Sequence, residues 1–344
     1  MKRLLLFLGI FFSLFFILLA FLNQVTPKEL PKPQIEFFSS PSPQPLVLGF
    51  AGEIILARDV ATKINQYKDY RCPFYKVADL TRNIDLFFAT LEAPLTGKNI
   101  PCGIDCMKFI GDAQAIEGLT FAGIDVVSLA ANHIMDGGEK GLADTLEVLD
   151  QNGIAHTGAG LTPQEARKPV IKEVNRVKFG FVAYNDIYPK ENTATAENLT
   201  QEINDLKKAV DLVIVAFHWG TEYATSPTFR QKELAHKAIK AGADLVVGDH
   251  PHVLQGIEFY QSKPIFYSVG NFVFDQMWSR ETREGIIGLL TFSEQRLVKM
   301  ELLPFQIEDF SQPQLLEEKE TKLLLNKLFS ISDPESVAII KSLE

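Results

Sequence analysis

The sequence predicts an α/β protein with a largely parallel sheet at its core. Short apolar runs of high β-propensity alternate with amphipathic segments whose apolar residues recur at helical spacing. Several of the apolar runs are followed at once by acidic, amide or imidazole side chains. The carboxyl ends of parallel strands lie together, and α/β proteins place their chemistry there. The two observations together predict the fold class and the position of a site.

The predicted strands are short apolar runs that end in a glycine or a polar residue. In chain order they are 46–50, 85–91, 125–129, 154–157, 177–184, 211–217 and 244–248, followed by 253–260, 264–269, 285–292 and 297–302, the last four joined by tight turns. The predicted helices are 74–83, 111–122, 139–152, 199–209, 228–241 and 317–328. In the third of these, Leu142, Leu146 and Leu149 share one face. Asp112 is a candidate N-cap for the second.

Residues 1–23 predict an uncleaved signal anchor. Lys2 and Arg3 precede an uncharged run at 4–22, which is about as long as a bilayer core requires, roughly 20 residues. Basic residues before the run place the N-terminus in the cytoplasm and the remaining chain outside a single-pass cell-membrane anchor. A cleaved signal peptide is the alternative. Its apolar core is usually shorter, roughly 7–15 residues, and the residues at 20–23 match a cleavage site poorly.

Three further segments follow the anchor. Residues 24–45 contain prolines at 27, 31, 33, 41, 43 and 45 and predict a semi-extended spacer. Residues 46–310 predict the globular domain, and residues 311–344 a C-terminal helical extension. The formal charge of −9 and the pI near 5.3 argue against non-specific nucleic-acid binding, so no nucleic-acid partner is expected.

The chain has three cysteines, Cys72, Cys102 and Cys106. An exported domain lies where disulfides are allowed, so one pair plus one free thiol is expected. Either Cys102 pairs with Cys106 across a small loop, or Cys72 pairs with one of them. A zinc site is disfavoured because no fourth ligand lies nearby in the sequence.

Polar side chains at five strand ends predict a metal site. Pro251 separates His250 from His252 after the buried run at 244–248, although this loop alone is equally compatible with two solvated histidines. Other predicted strands end at Glu53, Glu92, Asn132-His133 and His218. Carboxylate, amide and imidazole groups form mixed N/O sites for divalent metals. About six such ligands make two metals roughly 3.5–4 Å apart feasible, which is the geometry used in phosphoester chemistry.

Several motifs together resemble the CapA family of capsule and poly-γ-glutamate biosynthesis proteins, which are similar to calcineurin-like metallophosphatases. The motifs are Gly-Glu-Ile-Ile-Leu-Ala-Arg (52–58), Thr-Leu-Glu-Ala-Pro (90–94), Ala-Ala-Asn-His (130–133), His-Trp-Gly-Thr-Glu-Tyr (218–223), Gly-Asp-His-Pro-His (248–252) and Ser-Val-Gly-Asn-Phe (268–272). The resemblance covers about residues 46–292. It implies a four-layer α/β/β/α metallophosphatase-like sandwich, two divalent metal ions (Mn, Fe or Zn), and membrane anchoring with an outward-facing domain.

The resemblance also assigns roles position by position. The implied metal ligands are Glu53, Glu92, Asn132, His218, His250 and His252. His133 matches a histidine that protonates the leaving oxygen, Asp136 would orient it, and Arg58 suits an anionic substrate group. The sequence departs from the family pattern at Glu53, which replaces Asp, at Thr90 and Ala131, where Asn is frequent, and at Asp249, where His is common.

Two functions follow as hypotheses. The first is a divalent-metal-dependent hydrolase or phosphoesterase, and the second is a non-catalytic polymer-binding or assembly component of an envelope polymer export machine. The expected partners are an anionic envelope polymer or phosphoester, the membrane through 4–22, and other polymer-synthesis membrane subunits. His156 and His236 lack acidic or glycine-rich strand ends around them and are predicted to be structural.

Overall fold

The computed structural model describes residues 45–97, 108–188 and 192–343. The predicted membrane anchor at 4–22, residues 24–44 of the spacer, Cys102 and Cys106 lie outside these ranges. The described residues group into one compact unit. Within the described ranges, no helix combines the length and the apolar character needed to cross a bilayer.

The first sheet joins four N-terminal strands to four strands from the C-terminal part of the chain. Its strands are β1 (Leu46–Ile54), β2 (Leu86–Leu91), β3 (Val126–Ser128), β4 (Ala155–Thr157), β11 (Asn271–Val273), β12 (Glu284–Ser293), β13 (Arg296–Glu308) and β14 (Gln312–Leu315). The order is β14-β13-β12-β1-β2-β3-β4, and β11 pairs with the end of β1. The strands β1 to β4 are parallel, so their carboxyl ends lie along one edge.

The second sheet is built from the middle of the chain. Its strands are β5 (Val170–Val174), β6 (Val177–Asn185), β7 (Leu212–His218), β8 (Leu245–Asp249), β9 (Ile257–Tyr260) and β10 (Lys263–Phe266). The order is β5-β6-β7-β8-β10-β9. The strands β6, β7, β8 and β10 are parallel, and the edge strands β5 and β9 are antiparallel to their neighbours.

Nine α-helices lie within the described ranges. They are α1 (Arg58–Tyr67), α2 (Ala78–Thr81), α3 (Ile116–Phe121), α4 (Gly138–Gln151), α5 (Pro163–Ala166), α6 (Leu199–Lys207), α7 (Phe229–Ala241), α8 (Glu318–Ser330) and α9 (Pro334–Leu343). Thr228 caps α7 in a capping box with Gln231, which satisfies two backbone N–H groups at the helix start.

Three hydrophobic cores stack the elements into layers. The first core packs α1, α3 and α4 on the outer face of the first sheet, and the third packs α6 and α7 on the outer face of the second. The second core lies between the two sheets, where Phe50 meets Phe266 at a centroid distance of 4.8 Å and Phe88 stacks on Phe181 at 5.6 Å. Burying each phenyl ring contributes roughly 1.5–3 kcal/mol. The predicted α/β class is confirmed, as two facing sheets flanked by helices.

Several predicted elements differ from the observed ones. The predicted helix 74–83 is a 3-10 turn at Cys72–Phe74 followed by α2, and 111–122 is a 3-10 turn at Ala113–Ala115 followed by α3. Asp112 does cap that turn, accepting a hydrogen bond from the Gln114 backbone N–H at 2.9 Å. The helix α1 was not predicted, although its buried residues Val60, Ala61 and Ile64 have helical spacing.

The C-terminal segment 311–343 contains a strand as well as helices. The strand β14 extends the first sheet, and Leu324, Leu328 and Ile340 from α8 and α9 enter the core between the sheets. Ser332 and Ser336 accept hydrogen bonds from the backbone N–H groups of β9 residues at 2.9 Å and 2.6 Å. These contacts cover the edge of the second sheet, which would otherwise expose unpaired backbone groups.

Cys72 is a free thiol buried in the first core, and burial raises its pKa to about 12. Because the thiolate is the reactive form, we expect iodoacetamide to leave Cys72 unmodified between about pH 7 and pH 9 in the folded protein. Urea should expose it to modification. Peptide mass spectrometry measures both. Native labelling at the rate of a free cysteine, rising tenfold per pH unit, would contradict this burial.

Candidate metal centre

Parallel strands from both sheets deliver polar side chains to one edge of the molecule. Glu53 lies near the end of β1 and Glu92 directly follows β2, while His218 and Asp249 end β7 and β8. The loop after β8 then carries His250 and His252. The predicted convergence of these strand ends is therefore present, and each of these side chains is at least 95% buried.

Glu53 is the carboxylate that links the two sheets. Its Oε1 accepts a hydrogen bond from the His250 backbone N–H at 2.6 Å, and its Oε2 lies 2.9 Å from His252 Nδ1. The neighbouring Gly52 is required for the close approach of β1 and the Gly270 turn, since an added Cβ would lie 1.8 Å from the Gly270 carbonyl oxygen. The register of β1 against β2 shifts just before Glu53.

Both ring nitrogens of His218 lie close to side-chain oxygen atoms. Its Nδ1 lies 2.7 Å from Asp249 Oδ1 and 3.8 Å from Glu53 Oε1, and its Nε2 lies 3.1 Å from Asn132 Oδ1. Asp249 also accepts a hydrogen bond from the Thr90 hydroxyl. A carboxylate behind a histidine fixes its tautomer and ring orientation, which is how metal-binding histidines are usually supported.

The loop after β8 has an unusual backbone. His250 and His252 have φ values of +87° and +57°, in the left-handed region that non-glycine residues rarely adopt. Two hydrogen bonds hold the loop: the His250 N–H donates to Glu53, and the Tyr223 N–H donates to the Pro251 carbonyl at 2.8 Å. Such backbone strain is found at sites whose surroundings enforce it.

The donor atoms present fit divalent metal ions. Glu53, His250 and His252 form one group whose potential ligand atoms lie within 4.8 Å of one another, and Glu53, His218 and Asp249 form a second. Among the described residues, both carboxylate oxygens of Glu92 and the Nδ1 of His250 are buried without a hydrogen-bond partner. Buried oxygens and imidazole nitrogens without partners are unfavourable in an empty protein and are the donors that transition metals prefer.

The charges of the cluster also favour bound cations. Burial, together with the charge of Glu53, raises the pKa of Glu92 well above its usual range. Burial and the neighbouring His218 lower the pKa of His250. Burial also lowers the pKa of His252, but the charge and hydrogen bond of Glu53 outweigh it and raise the value to about 10. The raised pKa values of Glu92 and His252 favour protons on this cluster of buried carboxylates, and bound divalent cations would take the place of those protons.

His133, Phe109 and Arg58 form a stacked wall beside the cluster. His133 Nδ1 lies 2.7 Å from Asp136 Oδ2, which also accepts the Phe109 backbone N–H at 2.7 Å. The Phe109 ring stacks on His133 with centroids 3.8 Å apart, and the Arg58 guanidinium carbon lies 4.7 Å from the Phe109 ring centre. The His133 side chain is 20% exposed, so one face of this wall is open to an incoming molecule.

Arg58 has a second contact that the sequence did not indicate. Its Nε lies 3.1 Å from Asp275 Oδ2, which also accepts the Asp59 backbone N–H at 3.0 Å. Burial raises the pKa of Asp275. Arg58 is thus held beside an internal acid as an ion pair, although its Nε has no hydrogen-bond partner among the described residues. Its contact with a substrate anion stays a prediction.

The structure adds residues that sequence reasoning did not place in the site. In the sequence, Asp249 is identified only as a departure from the family pattern, and Asn271 only as part of the motif at 268–272. Asn271 Oδ1 lies 2.9 Å from His252 Nδ1. Phe109 and Asp275 had no local signal, because their contacts come from distant parts of the chain. His156 and His236 pair with Asp150 and Glu258, as expected of structural histidines.

The sequence matches a known family over most of the globular part. Residues 47–276 match the family model described as bacterial capsule synthesis protein PGA_cap. The chain belongs to this family. The predicted family membership is confirmed, and the PGA_cap match spans every candidate site residue named above.

Known PGA_cap-like relatives agree with the family match. The chain is 32% identical over 284 residues to the capsule biosynthesis protein CapA of Bacillus anthracis, covering 77% of this chain and 68% of the relative. It is 33% identical over 276 residues to the PGA biosynthesis protein CapA of Bacillus subtilis, covering 77% and 72%. A crystal structure described as a novel phosphatase of Mycoplasma pneumoniae has a TM-score of 0.50, 13% identity, and coverage of 76% of this chain and 93% of that one. This last likeness shows a shared fold.

Proposed function

We propose that this protein is a membrane-anchored, extracytoplasmic phosphoesterase of capsule or poly-γ-glutamate biosynthesis that depends on two divalent metal ions. One observation carries the proposal: Glu53 belongs to both groups of potential metal ligands, beside the unpartnered Glu92 and His250. A shared carboxylate between two neighbouring sets of N/O donors suits a two-metal site of a metallophosphatase-like sandwich. The phosphatase description of the structural neighbour supports the reaction class.

The residues divide into ligands, a proton donor and an anion-binding group. Glu53, Glu92, Asn132, His218, His250 and His252 would hold the metals, with Asp249 supporting His218 or joining the ligands. Bound divalent cations would supply Lewis-acid activation of the phosphoester and of the attacking water. His133, oriented by Asp136, would give a proton to the leaving oxygen. Arg58 would contact an anionic oxygen of the substrate.

The proposed location follows from the N-terminal sequence. The uncharged run at 4–22 after Lys2 and Arg3 would anchor the chain in the cell membrane, with the N-terminus in the cytoplasm. The proline-rich residues 24–45 would hold the globular domain away from the outer surface. In that position the site would meet an envelope polymer or its phosphoester intermediates and other membrane subunits of polymer synthesis.

A second candidate is a non-catalytic component that binds or assembles the polymer. The internal pairing of Glu53 with His252 at 2.9 Å favours it, because these groups partly satisfy each other without a metal. The names of the two Bacillus relatives describe a process and not a reaction. Metal content and turnover separate this candidate from the first.

The test is the metal content of the purified full-length protein. We expect about one to two equivalents of Mn, Fe or Zn in the unaltered chain and almost none in His250→Ala/His252→Ala. His236→Ala is the matched control and should keep the metal, because His236 pairs with Glu258 and belongs to neither group of potential ligands. A screen of phosphomonoesters and phosphodiesters then follows. Equal metal in all three proteins, or none after incubation with each metal, would refute the metal site.

A further inference from the structure

Three neighbouring strands of the second sheet end in register at the candidate centre. Asn185, His218 and Asp249 are aligned partners at the carboxyl ends of β6, β7 and β8. Residues in register on adjacent strands point to the same face of a sheet. The residues two positions earlier, Ala183, Ala216 and Val247, all lie in the core between the sheets. Asn185 therefore faces the same crevice as His218 and Asp249.

Within the described part of the chain, only the oxygen of the Asn185 side-chain amide has a hydrogen-bond partner. Its Oδ1 accepts a hydrogen bond from the Ile187 backbone N–H at 2.7 Å, which identifies the oxygen end and leaves the NH₂ group free. Asn185 is 1% exposed, and its Nδ2 has no hydrogen-bond partner among the described residues. A buried donor without a partner is unfavourable, and in native proteins it calls for a ligand or an ordered water molecule.

We propose that Asn185 is a substrate-positioning residue whose Nδ2 donates a hydrogen bond to a phosphoryl oxygen held beside His218. The inference rests on the proposed phosphoesterase function. The three carboxylates of Glu53, Glu92 and Asp249 repel an anionic substrate. The neutral Asn185 amide, at the carboxyl end of β6, binds one of the substrate oxygens. The amide does so without introducing a positive charge that would compete with the metals for the carboxylates.

Two variants separate the donor from the rest of the side chain. Asn185→Asp keeps the volume and the acceptor for the Ile187 N–H but replaces the NH₂ group with an oxygen. Asn185→Ala removes both ends and adds no charge. Tyr184→Phe is the matched control, since Tyr184 precedes Asn185 on the same strand but packs in the third core, where its hydroxyl donates to Glu202 at 2.9 Å.

The measurement is the affinity of the full-length protein, loaded with Mn²⁺, for inorganic phosphate by titration calorimetry. Metal content and melting temperature are recorded for each protein. We expect both Asn185 variants to bind phosphate at least about tenfold more weakly with unchanged metal content, since a hydrogen bond to a charged group is lost. Tyr184→Phe should bind phosphate as the unaltered chain does. If Asn185→Asp has a lower melting temperature than the unaltered chain, the comparison rests on Asn185→Ala.

Each other outcome overturns the inference. Unchanged phosphate affinity in both variants would leave the proposed function standing and assign the Asn185 amide to a buried water. Parallel loss of metal and phosphate would make Asn185 a support of the metal site and not a substrate contact. Absence of phosphate binding by the unaltered, metal-loaded chain would overturn the proposed function, and the inference with it.

Discussion

Glu53→Gln is expected to abolish stable metal binding and to lower phosphoester hydrolysis at least about 100-fold. Glu53 is shared by the two groups of potential ligands, so the loss of its charge weakens both at once. Substitutions of residues that merely support metal ligands typically cost about 10–100-fold, and a shared ligand should cost more. Metal analysis of the purified protein and kinetics with a phosphodiester measure the two effects.

Glu284→Gln provides the matched control for Glu53→Gln. Glu284 is also a buried glutamate, but its side chain pairs with Arg280 and Lys327 and belongs to neither group of potential ligands. Its substitution should lower stability and leave the metal in place. A Glu53→Gln protein with the full metal content of the unaltered chain would remove Glu53 from the ligands and with it the basis for a two-metal site.

His133→Asn is expected to keep the metals and lose catalysis. His133 is hydrogen-bonded to Asp136 and stacked on Phe109, and it is not in either group of potential ligands. A positioned general acid contributes about 10²–10⁴-fold, and the contribution grows as the leaving group becomes more basic. We therefore expect kcat to fall about 100-fold or more for an alkyl phosphoester and much less for a nitrophenyl ester, at constant metal content.

His156→Asn is the comparison for His133→Asn, because His156 also pairs with an aspartate, Asp150, but lies outside the wall of the site. It should retain the activity of the unaltered chain with both esters. An equal loss of activity for alkyl and nitrophenyl esters in His133→Asn would show that His133 does not protonate the leaving oxygen. Loss of metal in the same variant would place it among the ligands.

The sequence predicted the structure best where an apolar run is followed directly by a polar side chain. Short continuous apolar runs located the parallel strands β1, β2, β3, β6, β7 and β8 to within a few residues, because a strand buried on both faces has a continuous apolar sequence. The polar residue after each run marked the strand ends. The helix α1 and the strands β5, β11 and β14 were not predicted, because α1 and β5 carry charged residues among their apolar ones, and β11 and β14 are only 3 and 4 residues long.

Sequence by itself determined the fold class, the family and the set of strand ends that carry the site, since these depend on residue type and order. Only the tertiary structure decided how the set is arranged: that Glu53 reaches both His252 and the His250 backbone, that Asp249 lies behind His218, and that Asp275 holds Arg58. These contacts join residues 31 to 217 positions apart, and they exist because two separate sheets bring their carboxyl edges together. Distances of that kind are set by packing in three dimensions, which no local sequence pattern encodes.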